Sequence, residues 1–229
     1  MNSEELKRIA AEKAVSFVQP GMIIGLGTGS TTKYALLKIS EKLKSGELHD
    51  ITGIPTSGKT ETLAKELGIP LTNLNRNPEI DLTIDGADEV DENLNLIKGG
   101  GGALLREKVV AQASKAEIII VDETKISVNL GEKWAVPVEV LQFALEPERN
   151  FLSRLGGKPR LRLNGNGEPY VTDEENFILD TDFGTIENPA ALAQKLEARA
   201  GIVEHGLFIG LASKVIVAKS EGVEILRKG

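Results

Sequence analysis

Apolar positions recur at helical spacing near the start of the chain, at Leu6, Ile9, Ala10, Ala14, Phe17 and Val18. Asn2 or Ser3 is placed to cap this helix, Glu4 and Glu5 favour its first turn, and Pro20-Gly21 ends it. Met22-Ile23-Ile24-Gly25-Leu26 then reads as a short buried strand. It opens into Gly27-Thr28-Gly29-Ser30-Thr31-Thr32, with a second helical pattern over 34–43. Residues 51–54 predict a strand, 57–67 a helix closed by Gly68 and Pro70, and 80–84 a strand ending in Asp85-Gly86-Ala87-Asp88-Glu89. A helix over 103–111 and a buried strand over 117–121 follow, the strand ending in Asp122-Glu123-Thr124-Lys125. This alternation predicts an α/β fold with a doubly wound, mostly parallel, Rossmann-like sheet. Each polar cluster lies just past the carboxyl end of a strand, where open α/β sheets take their ligands.

From about residue 135 the rhythm changes. Strands are predicted over 136–141, 160–163, 176–180 and 202–203, and helices over 147–155 and 190–200. The turn-rich Asn164-Gly165-Asn166-Gly167 separates the middle strands. The order β-α-β-β-α-β is the split unit of a small ferredoxin-like α+β domain. The last stretch, 207–226, alternates strand and turn and is expected to return to the first sheet, with Ser220-Glu221-Gly222 as a tight turn. The expected division is therefore a catalytic domain of residues 1–130 plus 206–229, interrupted by a small domain of residues 131–205.

At 229 residues, with 41% hydrophobic and 27% charged positions, the chain can bury an ordinary core. A net charge of −7 argues against a nucleic-acid surface, although a local pocket can still be positive. With no cysteine, and only His49 and His205, thiolate sites are excluded and a histidine metal site is not expected. No apolar run approaches the ~20 residues of a membrane span. Met1-Asn2-Ser3-Glu4-Glu5 carries acids where a secretory leader carries bases. The expected location is cytoplasmic, away from membranes.

The chemistry concentrates in Lys98-Gly99-Gly100-Gly101-Gly102-Ala103-Leu104-Leu105-Arg106-Glu107-Lys108. Glycine loses the most backbone freedom on folding, so consecutive glycines point to a need for bare backbone rather than stability. Opening into a helix, they offer N–H groups to an anion, with Lys98 on one side and Glu107 on the other. Gly25-Leu26-Gly27-Thr28-Gly29-Ser30 lacks the third glycine of a dinucleotide fingerprint and suits a single phosphate better. Gly53-Ile54-Pro55-Thr56-Ser57-Gly58-Lys59-Thr60 matches the P-loop pattern. A capped helix start with a solvated Lys59 accounts for it better, because the loop before Gly58 has no internal glycine. In Ile84-Asp85-Gly86-Ala87-Asp88-Glu89 two small residues lie between carboxylates that could bind sugar hydroxyls and move protons, or only cap a turn. Lys125 is either a rim lysine or a second cation at the same edge.

Jointly, and in this order and spacing, Gly25-Leu26-Gly27-Thr28-Gly29-Ser30-Thr31, Ile84-Asp85-Gly86-Ala87-Asp88-Glu89, the Lys98–Lys108 stretch and Val121-Asp122-Glu123-Thr124-Lys125 closely resemble ribose-5-phosphate isomerase of the A type. The resemblance covers essentially the whole chain, including Asp182-Phe183-Gly184, and makes the P-loop match a coincidence. It implies interconversion of D-ribose 5-phosphate and D-ribulose 5-phosphate in the pentose phosphate pathway, with neither metal nor organic cofactor. By matching position it implies Glu107 as the proton-transferring base, with Asp85, Asp88 and Lys98 lining the sugar site. Thr28, Gly29, Ser30, Thr31, Gly86, Ala87, Gly99, Gly100, Gly101 and Lys125 would belong to substrate binding. The expected assembly is a homodimer or homotetramer.

Such chemistry moves a proton between C2 and C1 through an enediolate, so it needs one base reaching both carbons and positive groups at the developing oxyanion. A free glutamate is a weak base at neutral pH, so Glu107 is expected to be partly desolvated. Two other classes fit parts of the pattern: a P-loop phosphoryl-transfer enzyme depending on Lys59, and a non-catalytic sugar-phosphate sensor.

Overall fold

The computed structural model describes residues 2–227. The chain begins with α1 (Ser3–Val15), β1 (Ile23–Leu26), α2 (Thr32–Lys44), β2 (Thr52–Pro55), α3 (Gly58–Glu66) and β3 (Leu82–Asp85). Two-residue strands β4 (Glu89–Val90) and β5 (Leu96–Ile97) precede α4 (Leu104–Gln112) and β6 (Glu117–Asp122). Then come β7 (Val136–Val140), α5 (Leu145–Arg154), β8 (Lys158–Leu161), β9 (Phe177–Asp182), α6 (Pro189–Glu197) and β10 (Ile202–His205). The chain closes with β11 (Leu207–Phe208), β12 (Lys214–Lys219) and β13 (Gly222–Arg227). No helix among the described residues is long and apolar enough to cross a membrane.

The fold resolves into two compact units. One holds the residues up to Ala87, Arg106–Lys125 and those from Gly210 onward; the other holds Asp88–Leu105 and Ile126–Ile209. The sequence-based division, 1–130 plus 206–229 against 131–205, instead kept the 88–105 segment with the parallel sheet. In this grouping the chain changes units at 87/88 and again at 105/106, inside its two most chemical motifs.

The first unit carries a six-stranded sheet ordered β13-β12-β6-β3-β1-β2. Its neighbours are parallel except for the β12–β13 hairpin, so the expected doubly wound sheet is present and the C-terminal stretch returns to it. Asn2 caps α1 by accepting the Glu5 N–H at 2.9 Å. Ala10, Ala11, Ala14 and Val15 on the buried stripe of α1 share one core with Ile24, Leu26, Ile84, Ile118, Ile120 and Ile216. Burying such Ile and Leu side chains stabilises the fold by roughly 1.5–3 kcal/mol each. Small residues on the helix allow it to lie close to the β-branched strands.

The strand order positions the ligand edge. The chain runs from β1 to β2 on one side and places β3 on the other, so the winding direction changes between β1 and β3. At such a switch point the loops beyond the carboxyl ends diverge and leave a crevice.

The second unit has the antiparallel order β10-β7-β9-β8, packed with α5 and α6 through Leu152, Ala193 and Leu196. Its fourth, first, third and second strands lie side by side, as the split β-α-β-β-α-β reading requires. A three-stranded sheet, β11-β5-β4, was not anticipated. It takes Leu207 and Phe208 from the stretch expected to join the large sheet.

Candidate active site

In the first unit β1 and β3 lie so close at their carboxyl ends that only glycine fits on β1 and just beyond it. A Cβ on Gly25 would lie 1.8 Å from Thr83 Oγ1, and one on Gly27 would lie 2.2 Å from Asp85 Oδ1 and 2.6 Å from Asp85 Cα. With the strands this close, the Asp85 carboxylate reaches the next loop. Its Oδ1 accepts the Thr28 N–H at 3.1 Å and the Gly86 N–H at 2.7 Å. Asp85 is fully buried.

The Thr28 hydroxyl meets three others, Thr56 Oγ1 at 2.7 Å, Ser57 Oγ at 2.8 Å and Thr60 Oγ1 at 3.0 Å. This cluster ties the β1 loop to the start of α3, where Ser57 caps the helix by accepting the Thr60 N–H at 3.1 Å. The P-loop-like sequence is thus a capped helix start with its hydroxyls turned inward and Lys59 exposed. Beyond Thr28, Gly29 and Ser30 are exposed and lead to α2 through Thr31, whose side chain makes no capping bond. With no acid in its first turn, the start of α2 carries no side-chain charge that would repel an anion.

Glu107 sits in the first turn of α4, only 4% exposed. Leu104, Lys108 and Ala111 are buried with it at helical spacing, so the acid lies on an inward face rather than a solvated one. Lys125 ends a short turn after β6, which Asp122 holds by accepting the Thr124 N–H at 3.0 Å.

The second unit contains the other named residues. Asp88 Oδ2 accepts the Gly100 N–H at 2.7 Å, and the Asp88 N–H donates to Ile97 O at 2.9 Å. Lys98 is 2% exposed. Its backbone N–H donates to Gly206 O at 2.9 Å, and its Nζ lies 5.4 Å from the centre of the Phe208 ring. Gly99 and Gly102 adopt φ of +99° and +82°, which side chains rarely tolerate. Gly100 and Gly101 are exposed. Glu89, given no role from sequence, is fully buried and accepts the Gly131, Lys133 and Trp134 N–H groups, shaping a turn.

The candidate residues therefore form two sets. Thr28, Gly29, Ser30, Thr31, Asp85, Gly86, Ala87, Glu107 and Lys125 belong to the first unit, and Asp88, Lys98, Gly99, Gly100 and Gly101 to the second. Direct bonds join Thr28, Asp85 and Gly86 in one, and Asp88 and Gly100 in the other.

A sequence model of the family described as Ribose 5-phosphate isomerase A (phosphoriboisomerase A) matches residues 52–222. The chain belongs to this family. Ribose-5-phosphate isomerase A of Chloroflexus aurantiacus is 55% identical over 223 residues, covering 97% of this chain and 93% of that protein. The probable ribose-5-phosphate isomerase 3, chloroplastic, of Arabidopsis thaliana is 49% identical, covering 100% of this chain and 85% of the relative. Among solved structures, ribose 5-phosphate isomerase from Plasmodium falciparum superposes with a TM-score of 0.95 at 45% identity, over 98% of this chain and 99% of that one. A D-ribose-5-phosphate isomerase in complex with phospho-erythronic acid gives a TM-score of 0.97 at 44% identity, over 99% and 100% of the two chains. The likeness to the family thus spans both units.

Residues outside the expected set also shape these loops. Thr56, Ser57 and Thr60 could have been found from their hydroxyls at a helix start. Arg162 and Tyr170, which reach the carbonyls of Gly99, Gly100 and Gly101, and Asp180, which accepts from Arg162, could not, since nothing local in sequence ties them to the glycines.

Proposed function

We propose that this chain interconverts D-ribose 5-phosphate and D-ribulose 5-phosphate, with Glu107 moving the proton between C2 and C1 through an enediolate. Membership of the family is supported by relatives named for this isomerisation, and the burial of Glu107 in the first turn of α4 is the observation that carries the residue assignment. Removed from bulk water, a carboxylate is a better base toward a weakly acidic C–H than a solvated one. Lys98 and the glycine-loop N–H groups would stabilise the developing oxyanion. Asp85 and Asp88 would take the O1 proton during ring opening and return it to the ring oxygen. Ser30 and Thr31 at the start of α2, with Lys125, would hold the phosphate, and Thr28 would fix their loop.

The ligand named with one related structure, phospho-erythronic acid, fits this chemistry: its phosphate resembles that of the substrate, and its planar carboxylate resembles an enediolate. A homodimer or homotetramer in the cytoplasm completes the proposal, and light scattering of the purified protein tests the assembly.

The direct test is a coupled assay of ribulose 5-phosphate formation from ribose 5-phosphate in EDTA, comparing wild type with Glu107→Gln. Positioned acid–base transfer contributes roughly 10²- to 10⁴-fold, so kcat should fall by at least about 100-fold while KM changes little. A Glu107→Gln protein turning over at the wild-type rate would overturn the assignment.

A further inference from the structure

Arg162 follows β8 and is 14% exposed at its side chain. Its guanidinium faces Asp180 of β9, with Nε donating to Asp180 Oδ2 at 2.8 Å and Nη2 to Oδ1. Its remaining edge is turned to the glycine loop, where Nη1 donates to Gly99 O at 2.9 Å and to Gly100 O at 3.2 Å. Tyr170 stands beside it, brought there by a hairpin whose Tyr170 N–H donates to Arg162 O at 2.9 Å. The Tyr170 hydroxyl makes a long 3.5 Å contact to Gly101 O, and a Cβ on Gly102 would lie 2.3 Å from that hydroxyl. Carbonyls 99, 100 and 101 are therefore all drawn toward these two side chains.

In a trans peptide the C=O and N–H point in opposite directions, so fixing the carbonyls fixes where the N–H groups aim. The 99–100 peptide receives Arg162 at its oxygen and presents the Gly100 N–H to Asp88 Oδ2 at 2.7 Å. The 100–101 peptide is held at its oxygen by the same nitrogen, which turns the Gly101 N–H away from the guanidinium. A cation on the carbonyl side also polarises each peptide and strengthens its N–H as a donor.

We propose that Arg162, oriented by Asp180 and backed by Tyr170, is a positioning residue for the isomerisation. It sets the glycine-loop N–H groups toward the reacting oxygens and, through the Gly100 N–H, fixes the Asp88 carboxylate. This rests on the reading of Asp88 and the glycine loop as part of the sugar site. Lysine cannot replace arginine in this role, because a point charge cannot hold a carboxylate at two nitrogens while reaching two carbonyls.

The test measures kcat, KM and thermal midpoint for Arg162→Ala, Arg162→Lys, Arg162→Met and Asp88→Asn in the full chain, with and without added guanidinium chloride and a sodium chloride control. A loop misplaced by about an ångström costs up to roughly 100-fold, so the three Arg162 variants should lose about 10- to 100-fold in kcat, with KM within about threefold and the thermal midpoint nearly unchanged. Low millimolar guanidinium should restore part of the kcat of Arg162→Ala and none in Asp88→Asn. Unchanged kcat in Arg162→Ala and Arg162→Met would overturn the proposal. So would a loss that tracks the unfolded fraction and ignores guanidinium. If Asp88→Asn is impaired while the Arg162 variants are not, only the positioning role fails; if Asp88→Asn is fully active, the underlying reading of the loop fails.

Discussion

Gly25 and Gly27 have no positive φ and are glycine because a neighbouring strand leaves no room for a Cβ; Gly99 and Gly102 are glycine because the chain turns through left-handed φ. The β1 loop takes its shape from elements of its own sheet: Asp85 on the adjacent strand and hydroxyls at the next helix start. The second loop takes its shape from Arg162 and Tyr170, more than sixty positions later in the chain. Two glycine-rich stretches thus answer to different constraints, one a distance between strands and the other a direction of peptide planes.

Filling the strand contact should have the largest effect. In Gly27→Ala the added methyl meets the Asp85 main chain as well as its carboxylate, so relief requires the strands to separate. Overpacking of this kind costs about 3 kcal/mol, read as a lower urea midpoint at unchanged slope. Gly100→Ala separates the two cases, because its Cβ would first meet the movable Asp88 carboxylate, at 2.7 Å. Stability should fall by less than about 1 kcal/mol, while kcat/KM falls roughly 10-fold through displacement of Asp88. At the β1 loop, Ser57→Ala removes the α3 cap and a partner of Thr28, for about 1 kcal/mol in urea unfolding. Lys59→Ala, two positions on and exposed, should stay within about 0.5 kcal/mol and keep full activity; a large loss would revive a phosphate-binding loop there.

The smallest effects concern pH, and they oppose each other in the two units. Lys115, together with the Ile23 N–H, holds the Asp81 carboxyl below the usual range, so its contribution is present above its unfolded pKa and fades as pH falls through the lowered native value. Burial pushes Glu139 upward, against the hydrogen bonds of Asn176 and Thr172. Its native form holds a proton that the unfolded chain has released, so stability declines as pH rises from the unfolded value toward the raised one. Denaturant titrations at several pH values should show Asp81→Asn converging on wild type in acid. Glu139→Gln, which can keep both hydrogen bonds at its amide oxygen, should lose the decline across that window.

Much of this was legible beforehand. The strand–helix alternation carried the parallel sheet, since apolar runs such as 118–121 belong in strands covered on both faces. The β-α-β-β-α-β order carried the second unit. Strands β4, β5 and β11 escaped because two residues cannot show a period, and their pairing is set by distant segments. Glu107 and Lys98 stood out by sitting beside glycines, but their burial depends on packing that no short window of sequence contains.

The sheet of the first unit has a further consequence for how the protein is made. β12 lies between β6 and β13, yet it is synthesised only after residues 123–213 have followed β6. Until then the Ile118-Ile119-Ile120-Val121 edge of the nascent chain lacks its partner, and an open apolar edge invites pairing with other chains. Premature termination before residue 214 should therefore yield an aggregating product rather than a smaller folded one.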